Sequence, residues 1–214
     1  MDLDIKCHTT VLCAKRNSGK SQMCKYLLKD NDFDKIFVFS NTESTNHFYE
    51  KNNIVNKNCI YDSWDEEWGI QLLKALGKEN SGKTKETAKH TLLILDDIMS
   101  SKNVHSSEIL NKIFSNGRHV FLSILICSQY IYQTPSQSRA NIDNLLIGQV
   151  NRQSLGLIAD EFMSGDIERK DFFKLYNRAC KNYGFLYINN NSIKDTEDLN
   201  SIYGILRVPE EFVT

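Results

Sequence analysis

The sequence lacks the features that mark secreted and membrane-spanning proteins. No apolar run approaches the length that is needed to cross a bilayer. The segment Met1–Lys6 has neither the basic start nor the apolar stretch of a signal peptide. We therefore expect an intracellular protein that is neither secreted nor inserted in a membrane.

Further absences narrow the class of protein. Lys and Arg total 26 against 27 for Asp and Glu, and the net charge of −1 argues against a protein that coats nucleic acid by bulk electrostatics. Local contact with a phosphate backbone stays open. The six cysteines show no Cys-x-x-Cys spacing, which predicts reduced thiols and no cysteine-held metal. No repeat or domain boundary is visible, so residues 1–214 are predicted to form one domain, with a core over about 5–150 and an α/β extension over 151–214.

A phosphate-binding loop is the strongest motif that is present. Residues 10–21 read TVLCAKRNSGKS, an apolar strand that runs into Gly-Lys-Ser, and Gln22–Lys29 then has helical spacing of apolar residues. Backbone N–H groups of such a loop, with the positive end of the next helix, bind a triphosphate. We expect Lys20 to contact the β- and γ-phosphates of ATP and the Ser21 hydroxyl to bind Mg²⁺. The predicted nucleotide-binding residues are Ala14, Lys15, Arg16, Asn17, Ser18, Gly19, Lys20, Ser21 and Gln22.

The loop departs from the pattern G-x-x-x-x-G-K-[ST] at its first position, where this chain has Ala14. Alanine resists a positive φ, which glycine tolerates, so we expect the start of the loop to be imperfect. A second Gly-Lys-Thr lies within Ser81–Thr84. No apolar strand leads into it, and we interpret it as part of a polar loop over Lys78–His90.

Two adjacent carboxylates follow the apolar strand Leu92–Leu95. An acidic residue at the end of a buried strand emerges at the edge of the sheet where ligands bind in open α/β folds. Asp96 is therefore predicted to hold Mg²⁺ and its water shell, and Asp97 to orient or deprotonate the attacking water. The alternative is a solvated turn or a helix cap.

Three polar residues complete the predicted catalytic set. Gln129 ends the apolar run that starts at Val120, where its amide would hydrogen-bond the γ-phosphate or the attacking water. A cation that is donated to the γ-phosphate across a subunit interface raises the rate by about 10³–10⁵-fold. Arg118 and Arg139 are both candidates for that cation, and a surface arginine is the alternative for each.

The pattern of strands and helices predicts an α/β fold with a mostly parallel central sheet flanked by helices, and a short C-terminal β addition. Predicted strands are Thr9–Cys13, Lys35–Ser40, Thr91–Leu95, Val120–Cys127 and Leu145–Val150, followed by an edge pair over Tyr183–Ile188 and Ser201–Arg207. Predicted helices are Glu66–Leu76, Ser106–Ser115, Arg152–Met163 and Asp171–Cys180. Trp64 and Trp68 are expected to pack onto the core.

These motifs together resemble the genome-packaging ATPases of large DNA viruses and virophages, which are poxvirus-type members of the FtsK–HerA superfamily. The resemblance covers roughly residues 5–150 and rests on Ala14–Ser21, Leu92–Asp97, Gly117–His119, Ser128–Gln129 and Arg139–Asn141. It implies a RecA-like phosphate-loop core, and it implies ATP-driven movement of double-stranded DNA into a preformed capsid by a ring of five or six subunits. It places Gln129 at the sensor position, and it implies a capsid vertex or portal-like partner and a location in the host cytoplasm, a viral factory or the virion.

Two other functions stay open. A small-molecule kinase also combines a phosphate loop with acidic residues, although the arginines of residues 151–181 are too dispersed for a typical lid. A nucleotide-dependent ring or assembly protein with little turnover is the second alternative. For the DNA contact, the lysines of the polar loop are candidates, and solvation alone is the other interpretation of them: Lys78, Lys83, Lys85 and Lys89.

Overall fold

One eight-stranded sheet with helices on both faces organises the chain in the computed structural model, which describes residues 3–194 and 198–210. The strands are β1 Thr9–Cys13, β2 Lys35–Ser40, β3 Ile60–Tyr61, β4 Thr91–Asp96, β5 Leu122–Ser128, β6 Asn144–Ile147, β7 Phe185–Asn189 and β8 Tyr203–Leu206. The helices are α1 Lys20–Asp30, α2 Glu43–Asn46, α3 Phe48–Lys51, α4 Glu66–Glu79, α5 Lys102–His105, α6 Glu108–Asn116, α7 Ser136–Arg139, α8 Arg152–Phe162, α9 Arg169–Ala179 and α10 Leu199–Ile202.

The strand order is β3-β2-β4-β5-β1-β6-β7-β8. Strands β1 to β6 pair in parallel, and β7 and β8 continue the sheet in antiparallel pairing. The prediction of an α/β fold with a mostly parallel sheet and a C-terminal β addition is therefore confirmed. Because β1, β2, β4 and β5 are parallel, their carboxyl ends meet at one edge of the sheet.

The central strands are buried on both faces, which explains their nearly continuous apolar sequences. Alternate residues of β4 point to opposite sides: Leu93 and Leu95 belong to the larger core cluster, and Leu92 and Ile94 belong to the smaller one. The larger cluster packs under α4, α6, α8 and α9, and the smaller one lies against α1 and α3. The sheet is thus the middle layer of three.

The tryptophans pack as predicted. Trp64 is buried and its indole N–H donates to Ser107 Oγ at 3.0 Å. Trp68 contacts Phe39 edge-on, with ring centroids 4.8 Å apart. These rings fix α4, whose first turn is capped by the Asp65 side chain, against the outer strands of the sheet.

Some element bounds differ from the sequence prediction for identifiable reasons. Strand β5 begins at Leu122 because Gly117–Val120 forms a 3₁₀ turn and Phe121 has φ 59°. The two-residue strand β3 was not predicted, since only its pairing with β2 makes it a strand. All six cysteines are free thiols. Within the described ranges, no helix is long and apolar enough to cross a membrane.

Candidate nucleotide-binding site

A groove of about 680 Å³ lies at the carboxyl edge of the parallel strands. The phosphate loop follows β1, the acidic pair ends β4, and Gln129 follows β5, so the sheet brings these three motifs to one place. This is the position at which ligands bind in open α/β sheets. The groove is lined by Lys15, Arg16, Asn17, Gly19, Lys20, Ser21, Gln22, Asn41, Thr42, Thr45, Asn46, Asp96, Asp97 and Gln129.

The loop presents backbone donors to the groove. Gly19 precedes α1 with φ 82°, and Asn17 has φ 58°, so two left-handed residues turn the chain sharply before the helix. No side chain caps the start of α1, and no acidic residue occupies its first turn. The first N–H groups of α1 and the positive end of its dipole therefore face the groove, as an anion site requires.

One orphaned polar atom supports ligand binding at this point. The amide oxygen of Gln22 is buried and has no hydrogen-bond partner among the described residues. An unpaired buried polar atom is costly, and in native proteins it is usually explained by a ligand, an ion or a water.

Ala14 does not strain the loop, because the conformation at this position does not require a positive φ. Ala14 is fully buried and is not among the residues with positive φ, which in this loop are Asn17 and Gly19. Its N–H donates to the Ser128 carbonyl at 3.0 Å, which continues the pairing of β1 with β5. A Cβ on Gly148 would lie 2.8 Å from Ala14 Cβ. The close approach of these two chain segments therefore depends on the glycine at position 148.

Lys20, Asp97 and Gln129 form a hydrogen-bonded series across the groove. Lys20 Nζ lies 3.1 Å from Asp97 Oδ1, and Gln129 Nε2 donates to Asp97 Oδ2 at 3.2 Å. Asp97 itself has φ 53°, a conformation that is uncommon for a non-glycine residue and is concentrated at functional sites. Both carboxylate oxygens of Asp97 are thus held by residues that the sequence assigned to the same site.

Burial is the main influence on the pKa of the Asp96 carboxyl group. Burial raises its pKa from 3.8 to about 6, the charge of Asp97 adds to the increase, and Lys20 opposes it. The Ser40 hydroxyl donates to Asp96 Oδ2 at 3.5 Å, which also opposes the increase in its pKa. A nearby cation would stabilise the ionised form of a carboxylate in this environment.

The donors around the groove fit Mg²⁺. Ser21 and Asp96 offer oxygen atoms only, which suits a hard cation. Among the described residues, no group of three or more His, Cys, Asp or Glu could hold a metal by itself. Mg²⁺ typically binds through one or two carboxylates together with the phosphates of the substrate, so this sparse donor set is of the expected kind.

The structure does not bring the two arginines to the groove of their own chain. Arg118 lies beyond the opposite end of β5 and lines a second cavity of about 570 Å³, together with His8 and Asn141. Arg118 is exposed, and within the described part of the chain its guanidinium has no hydrogen-bond or ion-pair partner. The Nδ1 atom of His8, which lines the same cavity, is buried and has no hydrogen-bond partner among the residues that the structure describes.

Arg139 differs from the freely presented cation that the sequence predicts. Its guanidinium makes two bonds of 2.7 Å to the carboxylate of Glu161 and a third of 2.6 Å to the Thr134 carbonyl. The side chain is only 11% exposed. Arg139 is therefore engaged inside its own chain, where it ties α7 to α8.

Sequence reasoning missed one wall of the groove. Residues Asn41, Thr42, Thr45 and Asn46 line it from the turn after β2 and from α2. The available signal was the polar run SNTESTN over 40–46, which begins where an apolar strand ends.

The segment 78–90, predicted as a polar loop, begins with the last two residues of α4, Lys78 and Glu79. It lies at the other edge of the sheet, because it leads into the amino end of β4. Lys89 pairs with Glu79 at 3.4 Å, and Lys85 pairs with Asp4 at 3.5 Å. Both pairs are exposed, so they hold the lysines only weakly.

Comparison with known proteins gives one family and a consistent fold. The family model described as "Poxvirus A32 protein" matches residues 2–202. Uncharacterized protein 075L of Invertebrate iridescent virus 6 is 29% identical over 199 residues, which are 90% of this chain and 74% of that protein. Uncharacterized protein 015R of Frog virus 3 (isolate Goorha) is 24% identical over 199 residues, which are 91% of this chain and 60% of that protein.

Two solved structures share the fold. The genome packaging NTPase B204 from Sulfolobus turreted icosahedral virus 2, in complex with AMPPCP, has a TM-score of 0.65 and 18% identity, with 94% of this chain and 97% of that chain covered. B204, the DNA-packaging ATPase from Sulfolobus turreted icosahedral virus, has a TM-score of 0.60 and 16% identity, with 97% and 100% covered.

Proposed function

The chain belongs to the Poxvirus A32 protein family, and on that premise we propose that it is an ATPase that moves double-stranded DNA into a preformed viral capsid. The observation that carries the proposal is the contact of Lys20 and Gln129 with the two oxygens of Asp97 beside the phosphate loop. That arrangement combines a phosphate-binding cation, a candidate base and a polar amide at one edge of the sheet. It supports hydrolysis of a nucleoside triphosphate.

In the proposed mechanism, the N–H groups before α1 and the Lys20 ammonium bind the phosphates of ATP. Asp97 accepts a proton from the attacking water, and Gln129 holds that water or the γ-phosphate by its amide. Ser21 and Asp96 would hold Mg²⁺, which when bound neutralises charge that develops on the phosphoryl oxygens. Asp97 suits the role of base because its carboxylate is positioned from both sides, by Lys20 and by Gln129.

A ring of subunits completes the proposed site. Arg118 is exposed and unpaired within the described residues, at the edge of the sheet opposite its own groove. A cation in that position is free to enter the groove of a neighbouring subunit and contact the γ-phosphate. We assign this role to Arg118 and a structural role to Arg139, since the latter is bound to Glu161.

The DNA contact is proposed at the polar loop over 78–90. Lys83, Lys85 and Lys89 of this segment, with Lys78 in the last turn of α4, lie at the edge away from the groove. The ion pairs of Lys85 and Lys89 are weak surface pairs that leave these side chains available to phosphates. Hydrolysis that changes the subunit interface would move such loops along the DNA. The proposed capsid partner is a vertex or portal-like protein.

ATP turnover of the purified protein, with and without double-stranded DNA, tests the proposal. We expect hydrolysis that DNA stimulates and that the Lys20→Ala variant loses. Replacing the four loop lysines by alanine should abolish stimulation and leave the basal rate unchanged. DNA-independent slow hydrolysis with ATP-dependent ring formation would favour the assembly protein instead, and phosphoryl transfer to a small molecule would favour the kinase.

A further inference from the structure

Tyr183 is an exposed aromatic side chain beside the phosphate loop. It is 69% exposed, against 36% for Tyr132, the other large hydrophobic side chain that is exposed in the described residues. A Cβ placed on Gly19 would lie 3.4 Å from Tyr183 Cβ and 3.7 Å from its Cδ1. The ring therefore stands next to the residue that precedes α1, where phosphates are expected to bind, although Tyr183 follows α9 in a part of the chain that carries no recognised motif.

The turn that carries Tyr183 is held in an unusual conformation. Asn182 and Tyr183 both have positive φ, at 51° and 58°. Gly184 follows, and a Cβ there would lie 2.1 Å from the Ala179 carbonyl oxygen, so the chain passes directly against the end of α9. Two consecutive left-handed residues that are not glycine carry a conformational cost. Such strain is typical of functional positions, and here it fixes an aromatic ring in solvent instead of in the core.

The order of the strands sets the direction in which a nucleotide would lie. Asp97 and Gln129 follow β4 and β5, which lie on one side of β1, so the γ-phosphate end belongs on that side. Strands β6 and β7 lie on the other side of β1. Because β7 is antiparallel to β6, its amino end, where Tyr183 lies, comes to the same edge as the phosphate loop. A triphosphate that runs along the loop with its γ end at Asp97 therefore directs its nucleoside toward Tyr183.

A cavity of about 280 Å³ separates the phosphate loop from this turn. Tyr183 and the amide-bearing residues Asn17, Gln149 and Asn182 are among the residues that line it. An aromatic face provides a stacking surface for any base, and amides offer both donors and acceptors to a base edge. The Tyr183 hydroxyl has no hydrogen-bond partner within the described ranges.

We propose that this cavity is the base subsite of the nucleotide and that Tyr183 stacks on a purine base there. The inference rests on the proposed function, in that it takes the phosphate loop to bind a nucleoside triphosphate. Stacking accepts every base, and the larger face of a purine favours purines over pyrimidines. The subsite thus contributes affinity for the nucleoside and leaves the phosphate contacts to the loop.

Binding of ATP and of inorganic tripolyphosphate separates the two subsites. We expect Tyr183→Ala to weaken ATP binding by about tenfold, the effect of losing one stacking contact, and to leave tripolyphosphate binding unchanged. Tyr183→Phe, which keeps the ring, should retain ATP affinity within about twofold. The matched control is Tyr132→Ala, at the other exposed aromatic. The fluorescence of a 2-aminopurine nucleoside triphosphate should be quenched on binding to the wild type and the Phe variant only.

The outcomes are distinguishable. Equal ATP affinity of wild type and Tyr183→Ala would overturn the inference, as would an equal loss for ATP and tripolyphosphate, which would mean that the turn only supports the loop. If the wild type bound tripolyphosphate as tightly as ATP, no base subsite would exist. If it bound neither compound, the proposed function would fail as well.

Discussion

Lys20 Nζ lies 3.1 Å from Asp97 Oδ1, in a contact that is largely shielded from solvent. The residue that is predicted to bind the phosphates and the residue that is predicted to activate water therefore touch directly. This ion pair links α1 to the end of β4 and couples the two halves of the site. Its consequences are testable one residue at a time.

Removing the Lys20 ammonium should disable the site without unfolding the protein. We expect Lys20→Ala to lower ATP affinity by about tenfold or more and to abolish turnover, because both the phosphates and Asp97 lose their cation. Isothermal titration and steady-state hydrolysis measure the two effects. Lys25→Ala, on the same helix, is the control and should retain both, and an active Lys20→Ala variant would contradict the assignment of the loop.

The two arginines should behave differently. Arg118→Ala should reduce turnover by about 10³-fold, the usual loss when a trans cation is removed. Its ATP affinity and melting temperature should equal those of wild type. Arg139→Ala should instead cost about 1–2 kcal/mol in the free energy of unfolding, because Glu161 loses a bidentate partner.

Mixed rings test the trans role of Arg118. Lys20→Ala subunits retain Arg118, and Arg118→Ala subunits retain the phosphate loop, so mixing them should restore part of the turnover. Absence of any recovery in rings that do form would place Arg118 outside the mechanism.

The burial of Asp96 predicts a pH dependence of stability. Its pKa is raised from 3.8 to about 6, chiefly by burial, so between these values the folded protein binds more protons than the unfolded chain. Stability is then lost as pH rises through this window. In chelator and without nucleotide, the free energy of unfolding of Asp96→Asn should increase relative to that of wild type by about 1–3 kcal/mol as the pH rises from about 4 to about 7.5. Chemical denaturation measures the difference, Asp62→Asn at the surface should show none, and a pH-independent difference for Asp96→Asn would refute the shift.

Gly148 and Ala14 should be coupled. A Cβ at position 148 would lie 2.8 Å from Ala14 Cβ and 2.8 Å from Phe185 Cε1, so Gly148→Ala should cost about 1–3 kcal/mol in stability. Adding Ala14→Gly removes one of the two close contacts and should recover part of that loss. Additive effects in the double-mutant cycle would show that the two positions do not touch.

The bounds of β1 and β2 and the chemistry of the phosphate loop followed from the sequence because each depends on local properties. A buried apolar run predicts a strand, and Gly-Lys-Ser after it predicts a turn with exposed backbone donors. The convergence of Asp97 and Gln129 also followed, since parallel strands end at one edge. Here the sequence pattern and the fold agree because each element was specified by its own residues.

Other parts of the site depend on contacts between distant segments, which no local pattern reveals. The bonds from Arg139 to Glu161 join residues that are 22 positions apart in the sequence. Because of these bonds, an arginine that was a candidate trans cation has a structural role within its own chain. Tyr183 meets Gly19 only because β7 enters the sheet in antiparallel pairing beyond β6. For Ala14, comparison with the loop pattern predicted strain, whereas the left-handed positions are Asn17 and Gly19.

Single-turnover hydrolysis by Asp97→Asn is the most direct test of the central claim, that Asp97 activates water in this groove. The substitution keeps the shape of the side chain and removes the base, so the variant should bind ATP within a few-fold of wild type and hydrolyse it about 10²–10⁴-fold more slowly. Asp62→Asn should match the wild type in both respects. A hydrolysis rate equal to that of wild type, measured with ATP bound, would contradict the account.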